Sequence, residues 1–210
     1  HESELRTGVM LGTTVGGMDR SELHYKDPEN NDNFIRTHHC GFTTERVAEY
    51  LNAFDMVSTV STACSSGLNA MLLGARLIKH NMLDRVIVGG TDSLSKFTIN
   101  GFKTLMILDH QMCSPFDRDR KGLNLGEGAG FLIIESEKSL NKRNKKAICE
   151  LSGYGNSNDA FHQTASSPEG TGPFLCMEKA LNVAGIQPSD IDYINVHGTG
   201  TENNDLTEGI

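Results

Sequence analysis

Short apolar runs alternate with stretches of helical spacing along most of the chain. The runs are rich in β-branched residues and are bounded by glycine or polar turns, a pattern typical of buried strands. They predict strands over residues 7–13, 56–62, 84–90, 131–135, 147–154 and 192–196. Apolar residues three or four positions apart predict helices over residues 45–54, 65–80 and 174–184. Strands that alternate with helices indicate an α/β fold.

The predicted helix over residues 65–80 is apolar almost all round, so we expect it to be buried. Gly185 and Pro188 mark the end of the last predicted helix, because glycine commonly ends a helix and proline often follows. Residues 19–40 are polar and rich in turn formers, which predicts a surface excursion. The glycine cluster at residues 126–130 lacks the spacing of a nucleotide-binding loop, and we interpret it as a tight turn between packed elements.

Composition places the chain among ordinary globular proteins. The 210 residues include 27 acidic and 19 basic side chains, which give a net charge of −8, and 37% of them are hydrophobic. The acidic balance disfavours nucleic-acid binding, and no apolar run approaches the roughly 20 residues of a membrane helix. No signal peptide is visible. The chain begins at His1 and ends at Ile210 without an initiator methionine, which predicts a piece of a longer protein.

Five widely spaced cysteines, with no C-x-x-C pair, indicate reduced thiols and a cytoplasmic protein. Neither a disulfide framework nor a metal site is expected from that spacing. The neighbours His38, His39 and Cys40 have no second cluster of ligands spaced to complete a zinc site, so they are interpreted as loop.

Cys64 lies where a predicted strand runs into a predicted helix, in the sequence VSTACSSG at residues 60–67. That context places the sulfur near a helix N-terminus, where the dipole and the unpaired N–H groups favour the thiolate. Small neighbouring residues leave room for a substrate and allow backbone N–H groups to face an oxyanion. Cys64 is therefore a candidate nucleophile. The alternative is an inert, buried cysteine.

His197 opens the second candidate site, the sequence HGTGT at residues 197–201. A histidine at the end of a predicted strand, followed by glycine, is presented to a cleft and can act as an acid, a base or a hydrogen-bond donor. The alternative is a structural histidine whose ring nitrogens are satisfied. A thiolate and a strand-end histidine together indicate thiol-based nucleophilic catalysis, but their spacing does not show that they meet.

Four segments are distinctive when taken in order: STACSSG at residues 61–67, PFD through RKG into GEGAG at 115–130, GYG to DAFH at 153–162, and HGTGT at 197–201. In this order they resemble the β-ketoacyl-[acyl-carrier-protein] synthases, specifically the synthase II-like condensing enzymes of the thiolase superfamily. The resemblance runs over essentially the whole chain. It implies a thiolase-like layered α-β-α-β-α architecture built from two related halves and incomplete at both ends here. Residues 1–147 would form the N-terminal half without its start, and residues 148–210 the beginning of the C-terminal half.

The resemblance also implies how the two candidate sites act. Cys64 would accept an acyl chain from an acyl carrier protein as a thioester, with its own backbone N–H as one oxyanion donor. His197 would assist the decarboxylation of a malonyl group and stabilise the resulting enolate, which then condenses with the Cys64 thioester. No cofactor and no metal ion take part in such a reaction.

Further residues are assigned by the same resemblance. Thr199 and Thr201 match positions that hydrogen-bond the phosphopantetheine arm, and Thr164 is a weaker candidate for the same contact. A mobile gating loop over residues 159–166 would include Asp159 and His162.

The sequence departs from the family's pattern in its extent. The family's second catalytic histidine, a nearby lysine and the glycine-rich loop with the other oxyanion donor lie beyond the HGTGT motif, and the chain ends nine residues after Thr201. A family member also has a long segment before the part that resembles residues 7–17. The chain therefore resembles the middle half of a synthase and is expected to accept an acyl group without completing a condensation alone. Residues 52–56 stand where relatives usually have Gly-Pro before the nucleophile strand.

The resemblance implies a homodimer, with an acyl carrier protein as partner and no nucleic acid or membrane. Because carrier proteins are acidic and this chain is acidic too, docking is expected to need a local basic patch, which either includes Arg118 or Arg120 or lies in the N-terminal part of the family's fold that precedes this chain. One alternative is a chain-length-factor-type partner subunit, which lacks the nucleophile and is disfavoured by Cys64. Another is a truncated, non-catalytic interaction subunit. The sequence leaves open whether the pathway is fatty-acid, polyketide or polyene synthesis.

Overall fold

A computed structural model of the chain describes residues 5–27, 29, 34–52, 54–162 and 164–210. These residues form two compact units, the first within His1–Ile99 and Gly126–Glu150 and the second within Asn100–Leu125 and Leu151–Ile210. Cys64 lies in the first unit, and the HGTGT motif lies in the second. The boundary predicted after residue 147 remains a prediction.

The first unit is built on a four-stranded sheet with the strand order β2-β1-β3-β4. Its strands are β1 (Thr7–Gly12), β2 (Met56–Val60), β3 (Arg85–Asp92) and β4 (Gly128–Glu135). β1 pairs in parallel with β2 and β3, whereas β4 is antiparallel to β3. The first four predicted strands are therefore confirmed. β4 begins inside the glycine cluster at residues 126–130, so the interpretation of that cluster as a turn alone is wrong.

The α-helices of the described residues connect or cover these strands. They are α1 (Met18–His24), α2 (Gly41–Leu51), α3 (Ser66–Lys79), α4 (Lys96–Thr104), α5 (Glu137–Arg143), α6 (Thr171–Ala184) and α7 (Glu202–Glu208). The three predicted helices correspond to α2, α3 and α6, and Gly185 ends α6 in the left-handed conformation as predicted. The other four are too short for an apolar period to repeat. Within the described ranges, no helix has the length and apolar character needed to cross a membrane.

Helix α3 packs on one face of the sheet and encloses the core of the first unit. The buried core residues are Met10, Ala70, Leu77, Leu83, Val86 and Val88. Gly74 permits the close approach, because a Cβ there would lie 2.7 Å from Cγ1 of Val88. The expectation that this helix is buried all round is wrong, since only the face toward the sheet is buried and Leu68 is 70% exposed. The side turned away from the sheet remains open within this unit.

The predicted polar excursion contains helix α1 and a 3-10 turn at Arg36–His38. Glu22 of α1 accepts hydrogen bonds from the backbone N–H groups of Lys96 and Phe97, at 2.7 and 2.6 Å. These two residues begin α4, so the excursion is attached to the first turn of that helix. Residues 28 and 30–33 of the excursion lie outside the described part of the chain.

The strands predicted at residues 147–154 and 192–196 are wrong, because neither segment is in a strand. A strand needs a neighbour that completes its ladder of hydrogen bonds, and the described residues place no strand beside either segment. The end of the first segment and the residue after it pack along α6 instead. A Cβ on Gly153 would lie 2.2 Å from the carbonyl oxygen of Ala180, and one on Gly155, just beyond the segment, would lie 2.1 Å from that of Cys176.

Asp84 precedes β3 and links three elements of the first unit. Its Oδ2 accepts from the N–H of Arg6 at 2.9 Å, and its Oδ1 accepts from Nζ of Lys138 in α5, also at 2.9 Å. The side chain is only 5% exposed. The hydrogen bond from Lys138, opposed by burial and assisted by the N–H of Arg6, lowers the pKa of Asp84 below its ordinary value.

The free energy of unfolding is expected to fall as the pH drops through the lowered pKa of Asp84. The unfolded chain takes up this proton at a higher pH than the folded chain. The ionised carboxylate therefore stabilises the fold above the unfolded pKa, and the stabilisation is lost as the folded carboxylate protonates. Urea unfolding followed by circular dichroism from about pH 7 to about pH 3 measures the dependence. Asp84→Asn is expected to show a shallower acid dependence, and an equally steep one would contradict the assignment.

Candidate active site

Cys64 lies in the turn between β2 and α3, at the edge of the sheet where its parallel strands end. Ser65 is the N-cap residue of α3, and Ala63 has a left-handed φ of 51°. A residue other than glycine in that conformation marks a turn that its surroundings must hold in place. Cys64 is exposed, so the burial assumed in the alternative is wrong, and its reactivity as a nucleophile remains a prediction. The predicted strand–cysteine–helix context is confirmed.

Side chains that follow Cys64 in the sequence form hydrogen bonds with the two residues that precede it. Oγ of Ser66 donates to the carbonyl of Ala63 at 2.6 Å and accepts from the N–H of Thr62 at 2.9 Å. Nδ2 of Asn69 in α3 donates to Oγ1 of Thr62 at 2.8 Å. The turn that presents the thiol is therefore fixed by the first residues of the helix that follows it.

A cavity of about 250 Å³ lies beside Cys64, and Thr14 and Asp92 are among its lining residues. Glycines are also among its lining residues, and two of them pack closely against neighbouring backbone. A Cβ on Gly12 would lie 2.4 Å from the carbonyl carbon of Ser66, and one on Gly90 would lie 3.0 Å from the carbonyl oxygen of Gly12. A substrate group in this cavity would lie next to the Cys64 side chain.

The HGTGT motif of the second unit forms a turn that two carboxylates of α7 hold. Glu208 accepts from the N–H groups of His197 and Gly198, at 2.7 and 2.8 Å, and Asp205 accepts from the N–H of Gly200 at 3.1 Å. Gly198 and Gly200 have left-handed φ angles of 56° and 72°, which favour glycine. Neither carboxylate was predicted from the sequence, although their i, i+3 spacing shortly after the motif was the available signal.

Asp205 also connects this turn to the PFD segment. Its Oδ2 accepts from the N–H of Phe116 at 2.7 Å and lies 3.6 Å from Nε of Arg120, and its side chain is 1% exposed. Arg120 donates further to the carbonyls of Thr201 and Glu202, at 3.2 and 2.9 Å. A buried carboxylate and a guanidinium therefore join two of the four segments that define the resemblance.

These contacts change the prediction for a docking patch. The side chain of Arg120 is only 16% exposed and faces the interior of its unit, so Arg120 is wrong as a docking residue. The side chain of Arg118 is 92% exposed and remains the candidate.

The threonines assigned to the phosphopantetheine arm lie in the same unit as the predicted gating loop. Oγ1 of Thr199 and Oγ1 of Thr201 are 2.8 Å apart and hydrogen-bonded to each other. In the loop, Nδ1 of His162 accepts from the N–H of Thr164 at 3.2 Å. The N–H of Ser167 donates to Asp159 at 2.9 Å and lowers the pKa of that carboxyl. Residue 163 of the loop lies outside the described residues.

The loop also contacts the helix that follows the HGTGT motif. The N–H of Ser166 donates to Oδ1 of Asn203 at 3.2 Å, and Nδ2 of Asn203 donates back to the Ser166 carbonyl at 3.5 Å. The second unit therefore brings the HGTGT turn and the predicted gating loop together. That Cys64 of the first unit meets His197 remains a prediction.

Comparison with known proteins adds independent information. Residues 1–139 match the model of the β-ketoacyl synthase N-terminal domain, and residues 148–210 match that of the C-terminal domain. The chain is 34% identical over 215 residues to 3-oxoacyl-[acyl-carrier-protein] synthase 2 of Staphylococcus aureus, covering 97% of this chain and 53% of that protein. The chain thus spans about half the length of the curated relatives that it matches.

Two solved structures show the same fold. A ketosynthase (ApeO) in complex with its chain length factor (ApeC) from Xenorhabdus doucetiae matches with a TM-score of 0.86 and 36% identity, over 98% of this chain and 51% of that one. A type II PKS acyl-carrier protein in complex with its ketosynthase bound to the hexaketide (AntDE:AntF) matches with a TM-score of 0.87 and 27% identity, over 97% of this chain and 54% of that one. Both domain models, the relative and the shared fold agree, and the chain belongs to the β-ketoacyl synthase family.

Proposed function

We propose that the chain is the nucleophile-bearing portion of a β-ketoacyl-[acyl-carrier-protein] synthase, an acyltransferase that performs a decarboxylative Claisen condensation. The observation that carries the proposal is the exposed Cys64 just before α3, beside a cavity that it lines. Membership of the family and the relative named 3-oxoacyl-[acyl-carrier-protein] synthase 2 support it. The pathway is fatty-acid synthesis or the related synthesis of a polyketide or polyene.

In the first step, the Cys64 thiolate attacks the carbonyl carbon of an acyl thioester on the phosphopantetheine arm of the carrier. Negative charge moves to the carbonyl oxygen, for which the backbone N–H of Cys64 is the proposed donor. The intermediate then expels the pantetheine thiolate and leaves the acyl group on Cys64 as a thioester. The position of Cys64 at the N-terminal end of α3 favours the thiolate that this step requires.

In the second step, a malonyl thioester loses carbon dioxide, and the resulting enolate carbon attacks the carbonyl of the Cys64 thioester. The Cys64 thiolate leaves, and the product is a 3-oxoacyl thioester longer by two carbons. The ring of His197 is proposed to donate a hydrogen bond to the enolate oxygen. The contacts of Glu208 with the N–H groups of His197 and Gly198 support this role, because they fix the backbone from which the ring projects.

The phosphopantetheine arm is proposed to bind at Thr199 and Thr201, with Thr164 as a weaker candidate. The hydroxyls of Thr199 and Thr201 are held 2.8 Å apart. Together they can donate a hydrogen bond to the carbonyl oxygen of an amide group in the arm and accept one from its N–H. Asp159 and His162 are proposed to belong to a gating loop. Asp159 accepts from the N–H of Ser167, directly after the loop, and His162 accepts from the N–H of Thr164, which supports a defined loop conformation.

The proposed partner is an acyl carrier protein, and a similar structure is a complex of such a protein with its ketosynthase. A homodimer is proposed as well. β2 is an edge strand that leads into Cys64, with Met56 and Val57 exposed by 37% and 40%. Exposed apolar edges of this kind are normally covered.

The cytoplasm is the proposed location, supported by five cysteines of which none forms a disulfide.

A second candidate is a non-catalytic subunit of the chain-length-factor type or a truncated interaction subunit. The reason to consider this role is a similar structure in which a ketosynthase is in complex with its chain length factor. A subunit of that type lacks the nucleophile. The preorganised turn that presents Cys64 therefore supports the catalytic role over the non-catalytic one.

Incubation with an acyl-pantetheine thioester or an acyl carrier protein is expected to add one acyl group, confined to Cys64. Intact-protein mass spectrometry followed by peptide mapping measures the adduct. Cys64→Ala is expected to abolish it, because the thiolate is the attacking group. Cys149→Ala is the matched control, since Cys149 is also exposed but does not begin a helix.

An adduct that persists in Cys64→Ala, or no adduct on the folded protein, would contradict the proposed function. The non-catalytic subunit would then be the better account. The native mass of the same sample gives the number of chains per particle, and a single chain would contradict the homodimer.

A further inference from the structure

The carboxylate of Asp92, the last residue of β3, binds the turn that follows β1. Oγ1 of Thr13 donates to its Oδ1 at 2.7 Å. The N–H of Thr14 donates to both oxygens at 2.9 Å, and the N–H of Val15 donates to Oδ1 at 3.3 Å. One side chain therefore holds three consecutive residues of the turn, 77 to 79 positions earlier in the chain.

This turn forms part of the cavity beside Cys64. Thr14 and Asp92 line that cavity together with the thiol-bearing residue. Oγ1 of Thr14 also lies 3.5 Å from the carbonyl of Ala63, the residue before Cys64, to which it donates. A movement of the turn at residues 13–15 would therefore change the space next to the sulfur.

Hydrogen bonds to an ionised carboxylate are shorter and stronger than those between neutral groups. The other hydrogen bonds of the turn join neutral groups: the N–H of Thr13 donates to the carbonyl of Val60 at 3.2 Å, and Oγ of Ser66 donates to the carbonyl of Thr13 at 3.4 Å. Without the carboxylate, the N–H groups of Thr14 and Val15 lose their acceptor, and a polar backbone group that loses its partner moves to regain one. The turn would then shift relative to Cys64, while the hydrogen bonds from α3 that fix the thiol would remain.

We propose that Asp92 is a positioning residue that sets the width of the Cys64 cavity for the acyl-pantetheine end of the substrate. It acts through Thr14 and the turn at residues 13–15 and does not touch the reacting atoms. The inference rests on the proposed function, because it assigns the cavity to that substrate. It adds a residue that the motifs of the sequence do not single out.

The test compares two thiol reagents on the full chain. Iodoacetamide is small enough to reach the Cys64 thiol from solvent, whereas a chloroacetamide derivative of pantetheine must occupy the cavity to react. In Asp92→Ala, the half-saturating concentration of the pantetheine reagent is expected to rise about tenfold, with Asp92→Asn intermediate, because the charge-assisted bonds to the turn are lost. Its limiting rate, and the rate with iodoacetamide, are expected to stay within about twofold of the unsubstituted chain.

Asp55→Asn is the matched control. Asp55 also accepts a backbone N–H, that of Thr7 at 2.7 Å, but it lies at the start of β2 and therefore at the opposite end of the parallel strands from Cys64. Asp55→Asn is expected to leave both reagents unaffected. Thr13→Val removes one donor to Asp92 without a change of charge and keeps the test available if the Asp92 variants fold poorly.

An unchanged half-saturating concentration in Asp92→Ala and Thr13→Val would overturn the inference. Equal slowing with both reagents would overturn it too, because a purely structural role lowers the reactivity of the thiol toward every reagent. Failure of the proposed function has a different signature. The unsubstituted chain would then react with both reagents at Cys64 and still take no acyl group from a thioester.

Discussion

Gly12→Ala is expected to destabilise the first unit and to displace Cys64, the proposed nucleophile. The added Cβ would lie 2.4 Å from the carbonyl carbon of Ser66 and 2.5 Å from the nitrogen of Gly67. Both atoms belong to the backbone at the start of α3, so no side-chain rotation relieves the overlap. Overpacking of this kind costs about 1–3 kcal/mol of the free energy of unfolding. Because α3 must move outward, acylation of Cys64 is expected to slow by about a hundredfold.

Urea unfolding and the rate of acyl transfer from an acyl-pantetheine thioester measure these two effects. Gly130→Ala is the matched control, because Gly130 lies in the same sheet and a Cβ there would meet nothing within 4 Å. It is expected to alter neither quantity. If Gly12→Ala behaved like Gly130→Ala, the close packing of β1 on α3 would not be what positions Cys64.

Asp205→Asn is expected to loosen the HGTGT turn and to lower the stability of the second unit by about 3–5 kcal/mol, the usual cost of breaking a buried charge pair. The carboxylate accepts from the N–H groups of Phe116 and Gly200 and neutralises Arg120. In the variant, the NH₂ group of the side-chain amide would lie against one of the two backbone N–H donors. The guanidinium of Arg120 would also lose its counter-ion. The backbone N–H groups of Phe116 and Gly200 are therefore expected to exchange their hydrogen much faster.

Hydrogen exchange resolved by residue and chemical unfolding measured by circular dichroism test this expectation. Circular dichroism is chosen because the chain has no tryptophan. Glu202→Gln is the control on the same helix, since Glu202 is exposed and contributes its backbone carbonyl, not its carboxylate, to Arg120. If Asp205→Asn and Glu202→Gln had the same stability and the same rates of hydrogen exchange, Asp205 would not be what holds the HGTGT turn.

The context of Cys64 was predictable because it is local. A β-branched run, a cysteine and an apolar helical period follow one another without interruption, and β2 and α3 lie within two residues of their predicted ends. The stop of α6 at Gly185 was predictable for the same reason. The exposure of Leu68 was not, since an apolar residue on a helix does not say which faces meet another element.

The contacts that hold the two candidate sites depend on residues far apart in the chain. Asp92 binds a turn 77 to 79 positions earlier, and Asp205 binds Phe116 across 89 positions. Spacing along the chain carries no signal for such pairs. The strands predicted at residues 147–154 and 192–196 failed for a related reason, because a short apolar run between turns does not supply the neighbouring strand that a sheet requires.

The contact of Glu22 with α4 limits how this chain can be shortened or combined with segments of a relative. Its carboxylate accepts from the first two N–H groups of α4, where a helix has no partners of its own and where its dipole favours a negative charge. A deletion that removed residues 18–27 as a dispensable loop would leave those groups without their acceptor. In a chimera of two family members, α1 and α4 would therefore need to be exchanged together, although more than 70 residues separate them in the sequence.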